Sequence, residues 1–268
     1  MGRFNNEVVI VTGGAQGIGR SAAFKFAEEG AHVAVVDMNP EKGKQTTFEI
    51  KKNGGRAEFF HADVSKSADV KSTVAGILLS LKRIDVLYNN ASIFLPGKDG
   101  AVVDIEEEIW DRIISVNLKS IYLWCKYTIP HMANAGKGAI INTTSSCGLV
   151  GIPGCDAYSA SKGATAALTR SLSVEYGPKG IRVNCIAPAA IKTPMLDSSD
   201  LGNTTFDERR FLELRTPLRR YGTAEEIANV AVFLASDEAS YINGAVIVAD
   251  GGITISGDLS KIRKDYDE

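Results

Sequence analysis

The sequence predicts an α/β fold, with one doubly wound, Rossmann-like parallel sheet of about seven strands and helices on both of its faces. Short apolar runs alternate with helical patterns along the 268 residues. The first run leads directly into a glycine-rich turn, and the connections between successive runs are too long for hairpins. No linker or composition change divides the chain. We therefore predict a single domain over 1–268, with a core of about 5–253 and a C-terminal tail over 254–268.

The predicted strands are runs of β-branched and other apolar residues bounded by turn-forming residues. They cover Glu7–Thr12, His32–Asp37, Arg56–Ala62, Ile84–Asn89, Gly138–Thr144, Ile181–Ala187 and Ala245–Ala249. Helical patterns fill the intervals. They comprise a helix that ends at Gly30, then Pro40–Asn53, Ser65–Leu81, Asp104–Met132, Tyr158–Tyr176, a helix near Phe211, and Ala224–Ala235.

Composition and charge exclude several classes of function. A net charge of −2 provides no basic surface for nucleic acid. The four cysteines (Cys125, Cys147, Cys155 and Cys185) have neither CxxC spacing nor a nearby histidine cluster, so we expect reduced thiols and no metal site. No apolar run is long enough to span a membrane, and the N-terminus has no apolar signal core. We expect a cytoplasmic protein that binds neither membranes nor nucleic acid.

The glycine pattern Gly13-x-x-x-Gly17-x-Gly19 lies between the first strand and the first helix. Glycines at this place let the backbone approach a pyrophosphate, and the following helix offers unpaired N–H groups and the positive end of its dipole. Three glycines alone are a weak signal, because turns use them freely. Their position between a strand and a helix predicts a phosphate-binding turn.

Asp37 ends the second strand, eighteen residues after Gly19. A carboxylate there can accept hydrogen bonds from the adenosine ribose of NAD and would repel the 2′-phosphate of NADP. No arginine follows Asp37, and Gln16 in the glycine turn is neutral, so the sequence favours NAD. Asp63 and Val64, after the third strand, are candidates to contact the adenine ring. Both aspartates have an alternative role as ordinary helix or turn caps.

Tyr158 and Lys162 lie four residues apart, so in a helix they share one face. A free tyrosine titrates near pH 10, and a useful base at neutral pH needs a pKa lower by roughly three units, or about 4 kcal/mol. An exposed pair supplies only about 0.3–0.5 kcal/mol. The pair can act as a base only in a water-poor cleft with further positive charge. The alternative is an ordinary surface helix.

Together these motifs resemble the classical short-chain dehydrogenase/reductase family over about residues 5–253. The pieces occur in the order of the family. They are the glycine turn from Thr12 to Gly19, Asn89-Asn90-Ala91, Asn117, Ser145, Tyr158-Ser-Ala-Ser-Lys162 and the segment from Pro188.

The resemblance implies a role for each catalytic position. Tyr158 would exchange a proton with the substrate oxygen, and Lys162 would lower the tyrosine pKa and bind the nicotinamide ribose. Ser145 would stabilise the substrate oxygen, with its neighbour Ser146 as the competing candidate. Asn117 would join a proton relay through water, or would bond to backbone where the helix kinks.

The resemblance also implies the cofactor contacts and the assembly. Besides the three glycines, the cofactor positions are Gln16, Ile18, Asn90, Ala91, Ile191 and Thr193, and the family often forms tetramers. The chain departs from the family at two positions. Ser92 and Ala189 stand where glycine is usual. We expect Ser92 to shift its loop slightly without abolishing binding, and Ala189 to trim the pocket.

The residues that the family resemblance places in the substrate pocket are small or apolar and include no fixed cation. Its residues are Cys147, Leu149, Cys155, Ala189, Ala190 and Met195. We therefore predict hydride transfer between NAD and an uncharged secondary alcohol or ketone. The alternatives are a biosynthetic carbonyl reductase acting on an acyl thioester or a sugar ketone, and a dinucleotide sensor without turnover. The polar segment 195–214 is typical of a lid, and Arg209, Arg210 and Arg215 could bind an anionic tail or remain solvated.

Overall fold

The computed structural model describes residues 2–198 and 216–256. The strands are β1 (Val8–Thr12), β2 (His32–Asp37), β3 (Arg56–His61), β4 (Val86–Asn89), β5 (Gly138–Thr143), β6 (Ile181–Pro188), β7 (Ile191–Lys192), β8 (Gly222–Thr223) and β9 (Val246–Ala249). The α-helices are α1 (Gly17–Glu28), α2 (Pro40–Lys52), α3 (Ser67–Leu81), α4 (Glu107–Ile114), α5 (Ser120–Ala135), α6 (Asp156–Tyr176), α7 (Pro194–Ser198) and α8 (Ala224–Ala235). A π-helical segment, Ser115–Lys119, joins α4 to α5.

Seven of these strands form a parallel sheet in the order β3-β2-β1-β4-β5-β6-β9 within the described ranges. The order reverses direction beside β1, which pairs with β2 on one side and with β4 on the other. In an open parallel sheet, ligands bind in the crevice outside the carboxyl ends of the strands at such a switch point. The predicted doubly wound parallel sheet is confirmed.

Successive side chains of each strand enter two different cores, because strand side chains alternate between the faces of the sheet. Val9 and Val11 pack with Phe26 of α1 and Leu234 of α8 on one face. Ile10 packs on the other face with α3 and α5, in the cluster that includes the fully buried Trp124. Burial on both faces explains why β1 is apolar without interruption.

Several element boundaries differ from the sequence prediction. The strand predicted from Ile84 begins at Val86, and the Asp85 carboxylate just before it accepts the main-chain N–H of Val8 at 2.8 Å. The long predicted helix 104–132 is α4, the π segment and α5 in succession. Helix α6 begins at Asp156 rather than at Tyr158. The helix predicted near Phe211, most of the lid and residues 257–268 lie outside the described residues.

A buried polar chain fixes α6 against the sheet. The Asn89 side-chain amide of β4 donates to Asn142 Oδ1 of β5 at 2.9 Å, and the Asn142 amide donates to Thr169 Oγ1 of α6 at 2.9 Å. Hydrogen bonds between buried polar groups are directional, so they define how far α6 can slide along β5. Over the part of the chain that the structure describes, no helix combines the length and the apolar character that crossing a bilayer requires.

The packing of α2 on β3 predicts opposite stability effects for two helical glycines. A Cβ added at Gly43 would overlap the Phe59 ring, whereas at Gly76 of α3 it would lie 3.8 Å from Phe60, an ordinary contact. Gly43→Ala should therefore lower the free energy of unfolding by about 1–3 kcal/mol. Gly76→Ala, the matched control, should raise it by about 0.5–1 kcal/mol through helix propensity. Chemical denaturation measures both; equal effects of the two substitutions would contradict this packing.

Candidate active site

The crevice at the switch point is closed at its base by Thr12. The Thr12 hydroxyl oxygen accepts the N–H groups of Asn90 at 3.0 Å and Ala91 at 3.1 Å, so the end of β1 is tied to the chain that leaves β4. The Asn90 side-chain amide donates back to the Thr12 carbonyl at 3.1 Å. These bonds hold the predicted cofactor residues Asn90 and Ala91 against the glycine turn.

The glycine turn has a backbone conformation that depends on its glycines. Gly13 and Gly17 have φ values of +66° and +55°, which side chains rarely adopt, and a Cβ at Gly19 would overlap the Gly13 carbonyl. Gln16 precedes α1 without capping it through its side chain, and the first turn of the helix, which includes Ile18, carries no acidic residue. Its N–H groups therefore remain available to an anionic ligand, so these residues fit a dinucleotide.

Asp37 holds the glycine turn from the end of β2. One carboxylate oxygen accepts the N–H of Ala15 at 3.0 Å and the other accepts the N–H of Asn39 at 2.9 Å. The carboxylate thus has the capping role considered from the sequence, and each oxygen retains a lone pair for a ribose hydroxyl. The sequence did not reveal that Lys42 would lie nearby. Its ammonium donates to Gln16 Oε1 at 2.9 Å and places a cation beside the turn.

Asp63 and Val64 make different contacts from each other. One Asp63 carboxylate oxygen accepts both the N–H of Ser65 at 3.0 Å and its hydroxyl at 2.6 Å, which is a turn cap. Burial opposes ionisation of Asp63, but these bonds and nearby Lys66 outweigh it and lower the pKa of the carboxyl. The Val64 side chain is buried in the core. Adenine contacts from this pair would therefore use the Asp63 carboxylate or the main chain of Val64.

Lys162 is buried although it carries an ammonium group. Its side chain is 2% exposed, and its Nζ donates to the Thr143 carbonyl at the end of β5 at 2.9 Å. The Thr144 hydroxyl donates to the Lys162 carbonyl at 2.5 Å, which fixes the same turn of α6 to the same strand end. Burial lowers the pKa of Lys162 to about 8. The ammonium lies 5.5 Å from the centre of the Tyr158 ring, so the pair shares one face of α6.

The Tyr158 phenol is partly buried and its ring packs on Phe94, with ring centres 5.0 Å apart. Burial raises the pKa of Tyr158, while the hydroxyls of Ser145 and Ser92 act in the opposite direction and lower it. Of the two serines at this strand end, Ser145 is the one whose hydroxyl lowers the pKa of the phenol. Because burial disfavours the charged phenolate, Tyr158 needs a positive charge nearby to act as a base, as the sequence predicts.

Asn117 occupies the centre of the π-helical segment and is fully buried. Its side-chain oxygen accepts the N–H of Ile93 at 2.8 Å, and its amide donates to the Ile93 carbonyl at 2.9 Å and to Ser161 Oγ at 3.3 Å. One amide hydrogen thus holds the loop after β4, and the other bonds α6. A proton relay through Asn117 would have to use its main-chain carbonyl or the remaining lone pair of its side chain.

The start of α6 depends on a residue that the sequence analysis missed. The buried Asp99 carboxylate accepts the N–H groups of Ala157 at 3.1 Å and Tyr158 at 2.9 Å, while Cys155 precedes the helix without a side-chain cap. Asp99 lies 59 residues before Tyr158 in a loop, so local capping patterns could not reveal it. It fixes the main chain that carries the phenol.

Two cysteines predicted to line the substrate pocket lie beside the phenol. Electrostatic interaction with Cys147 and Cys155 raises the pKa of Tyr158 further, after burial. The Cys155 thiol donates to the Ile152 carbonyl at 3.3 Å, and burial raises the pKa of that thiol. Leu149, predicted for the same pocket, is 41% exposed.

The segment after β6 faces the glycine turn. Ala189 and Ala190 are partly buried, Ile191 is buried, and β7 pairs with β8. A Cβ at Gly17 would lie 3.5 Å from the Thr193 side chain, so the predicted carboxamide-binding residue lies across from the phosphate turn. Met195 is partly buried at the start of α7, and Arg209, Arg210 and Arg215 lie outside the described residues. Residues 2–198 and 216–256 contain no group of three metal-ligating side chains placed to hold an ion.

A phosphate turn at the switch point, with a tyrosine–lysine pair beside it, defines the class of Rossmann-type oxidoreductases. A family model described as enoyl-(acyl carrier protein) reductase matches residues 13–254. Cyclopentanol dehydrogenase of Comamonas testosteroni is 41% identical over 254 residues, which cover 95% of this chain and 99% of that protein. The 3-oxoacyl-acyl-carrier-protein reductase of Chlamydia muridarum is 42% identical over 251 residues, covering 92% and 97%.

The crystal structure of levodione reductase superposes with a TM-score of 0.90 at 36% identity, covering 95% of this chain and 100% of that one. The chain belongs to the short-chain dehydrogenase/reductase family. It is an oxidoreductase, and the family resemblance inferred from its motifs is confirmed.

The Asp99 cap predicts a coupled loss of stability and activity. Asp99→Ala leaves the N–H groups of Ala157 and Tyr158 without their acceptor, so the free energy of unfolding should fall by about 1–2 kcal/mol. Because the same change loosens the main chain of Tyr158, kcat should also fall. Asp156→Ala is the control, since the Asp156 carboxylate accepts an N–H from exposed Val102 rather than from α6. A stable, fully active Asp99→Ala protein would contradict the cap.

Proposed function

We propose that the protein is an NAD-dependent dehydrogenase that interconverts an uncharged secondary alcohol and its ketone. The observation that carries the proposal is the buried Lys162 ammonium, 5.5 Å from the Tyr158 ring centre. A buried cation beside a phenol at the mouth of a nucleotide crevice has little structural use, and perturbed ionisable groups concentrate at functional sites. Relatives named for cyclopentanol and levodione support a ketone or secondary alcohol as substrate.

The cofactor would be held by the glycine turn, Asp37, Asn90, Lys162 and Thr193. When bound, the nicotinamide accepts or donates the hydride, and its oxidised ring adds positive charge to the site. The residues of the chain handle the proton. Tyr158 Oη, as phenolate, takes the proton of the substrate hydroxyl during oxidation and returns it during reduction.

Lys162 and Ser145 would assist this proton transfer in different ways. With a pKa of about 8, Lys162 is mainly protonated at neutral pH, and its charge favours the phenolate. The Ser145 hydroxyl can donate a hydrogen bond to the substrate oxygen, whose partial charge changes during the reaction. Because the site is largely closed to water, both interactions are stronger than the same pair would be at the surface.

The pocket residues favour an uncharged substrate. Cys147, Cys155 and Ala189 are small, and none can form an ion pair with a carboxylate or phosphate at neutral pH. A second candidate is a carbonyl reductase acting on an acyl thioester, a reading favoured by the relative from Chlamydia muridarum. A sensor without turnover is disfavoured, because it would not need Tyr158, Lys162 and Ser145 together.

One assay separates these functions. Dinucleotide absorbance would be followed with cyclopentanol, cyclohexanol, their ketones and a 3-oxoacyl thioester, each with NAD and NADP. The proposal predicts turnover of the cyclic pairs with NAD. Tight NAD binding without turnover of any substrate would instead support a sensor. Cytoplasmic location and assembly as a homotetramer stay predictions, and sedimentation equilibrium would test the assembly.

Tyr158→Phe removes the acid/base and should lower kcat by about 10²–10⁴-fold. The Kd for NAD should change little, because the ring and its packing on Phe94 remain. Tyr176→Phe, at the other end of the same helix, is the matched control and should keep wild-type kcat. Steady-state kinetics and NAD titration measure both quantities. Near-wild-type turnover by Tyr158→Phe would overturn the proposed mechanism.

Asp37→Ala should separate the two dinucleotides. Loss of the bond to Ala15 N–H loosens the glycine turn and weakens both cofactors by a common factor. Loss of the ribose contact should weaken NAD further, by about 10-fold, since a hydrogen bond to a charged group is involved. Asp37→Asn keeps the acceptor for Ala15 and should have a smaller effect. Equal losses for NAD and NADP, measured as Kd, would refute ribose recognition by Asp37.

A further inference from the structure

The Ser92 hydroxyl is buried and has no hydrogen-bond partner among the described residues. Ser92 directly follows Asn90-Ala91, the pair that Thr12 ties to the glycine turn. Buried hydroxyl groups are nearly always paired, because leaving one without a partner is unfavourable. A buried hydroxyl without a partner beside the crevice therefore points to a hydrogen bond that forms or strengthens during function.

The chain on both sides of Ser92 is held firmly. On one side, the Ala91 N–H donates to Thr12 Oγ1 at 3.1 Å. On the other side, Ile93 exchanges two hydrogen bonds with the buried Asn117 side chain, at 2.8 and 2.9 Å. The hydrogen bonds of its two neighbours in the chain therefore fix the position of Ser92 at the crevice.

The same short segment packs on the phenol. The Phe94 ring, two residues after Ser92, lies 5.0 Å from the Tyr158 ring with an interplanar angle of 58°. The Ser92 hydroxyl lies close enough to Tyr158 to lower the pKa of the phenol, in the same direction as the Ser145 hydroxyl and against the effect of burial. Two serines from different strand ends, β4 and β5, therefore approach one phenol.

We propose that Ser92 is a positioning residue that donates a second hydrogen bond to the Tyr158 oxygen, beside Ser145, when the phenolate forms. The inference rests on the proposed function, since it concerns the base of that reaction. No proton leaves Ser92. The proton of the alcohol moves to Tyr158, and the Ser92 O–H bond remains intact while it stabilises the phenolate before transfer. With glycine at this position, the second donor would be absent.

The proposal has a pH signature, because the hydrogen bond favours the charged form of Tyr158. Without the Ser92 donor, the tyrosine pKa rises, and alcohol oxidation, which needs the phenolate, becomes slow at lower pH. Well above the new pKa the phenolate forms regardless, so the rate there should be nearly unchanged. A residue that only supports the loop would instead lower the rate equally at every pH.

Ser92→Ala and Ser92→Gly delete the hydroxyl without adding bulk. The rising limb of kcat/KM against pH, measured for cyclopentanol oxidation with NAD, should move to higher pH by about one unit in both variants. At pH values below the wild-type midpoint of this limb, kcat/KM of both variants should be about tenfold lower than that of the wild type. Ser92→Thr keeps the donor and should retain the wild-type limb. Ser173→Ala, which removes a buried hydroxyl from the far half of α6, is the matched control and should also leave it in place.

A second measurement needs no turnover. Ultraviolet titration of the NAD complex, with the Tyr158→Phe spectrum subtracted, reports the Tyr158 phenolate directly, and its midpoint should rise in Ser92→Ala. An unmoved midpoint, an unmoved limb, or a uniform loss at all pH values would overturn the role of Ser92. If the proposed function is wrong, the result is different: the wild type oxidises no alcohol, and Tyr158→Phe has no effect on turnover. The titration would still decide the role of Ser92 in that case.

Discussion

A lysine ammonium buried against a main-chain carbonyl is the interaction around which this molecule is arranged. Lys162 is 2% exposed, and its Nζ bonds the Thr143 carbonyl at 2.9 Å. Burial lowers its pKa from 10.5 to about 8. The charged form therefore lowers the stability of the fold at neutral pH, on the order of 3 kcal/mol. That penalty declines as pH rises from about 8 to about 10.5, because the folded protein loses the proton before the unfolded chain does.

Several parts of the fold act together to keep this unfavourable cation in place. The Thr144 hydroxyl holds the turn of α6 that carries Lys162, and the Asn89–Asn142–Thr169 chain fixes the next part of the helix to β4 and β5. At the start of α6, Asp99 fixes the main chain of Tyr158. Because α6 is held along its buried face, the distance between ammonium and phenol depends on the sheet rather than on a flexible loop.

The features that could be predicted from the sequence are those that depend on short, local residue patterns. Alternating apolar runs predicted the strands, and the position of Gly13, Gly17 and Gly19 between a strand and a helix predicted the phosphate turn. The i,i+4 spacing placed Tyr158 and Lys162 on one face. These features follow from backbone periodicity and conformation, which short stretches of sequence encode.

Contacts between residues that are far apart in the sequence could not be predicted. Asp99 is an ordinary loop aspartate in the sequence, and nothing near it indicates that it caps a helix 57 residues later. Lys42 approaches Gln16 only because α2 packs beside the glycine turn. Ser92 was expected to shift its loop slightly, and its neighbours in the sequence did not indicate that its hydroxyl would lower the pKa of Tyr158. In each case the partner is set by tertiary packing.

The π-helical segment Ser115–Lys119 limits where the chain can change length. A π-helical turn contains about one residue more than an α-helical turn, so the segment accommodates an additional residue between the two helices. Here α4 packs on α6, whereas α5, after the π segment, packs on α3 and buries Trp124 while leaving Tyr122 exposed. Loss of one residue from the segment would leave an ordinary α-helical turn and withdraw the Asn117 side chain from Ile93. Insertions and deletions should therefore be acceptable at the exposed turn around Val102 and Val103 but not a dozen residues later.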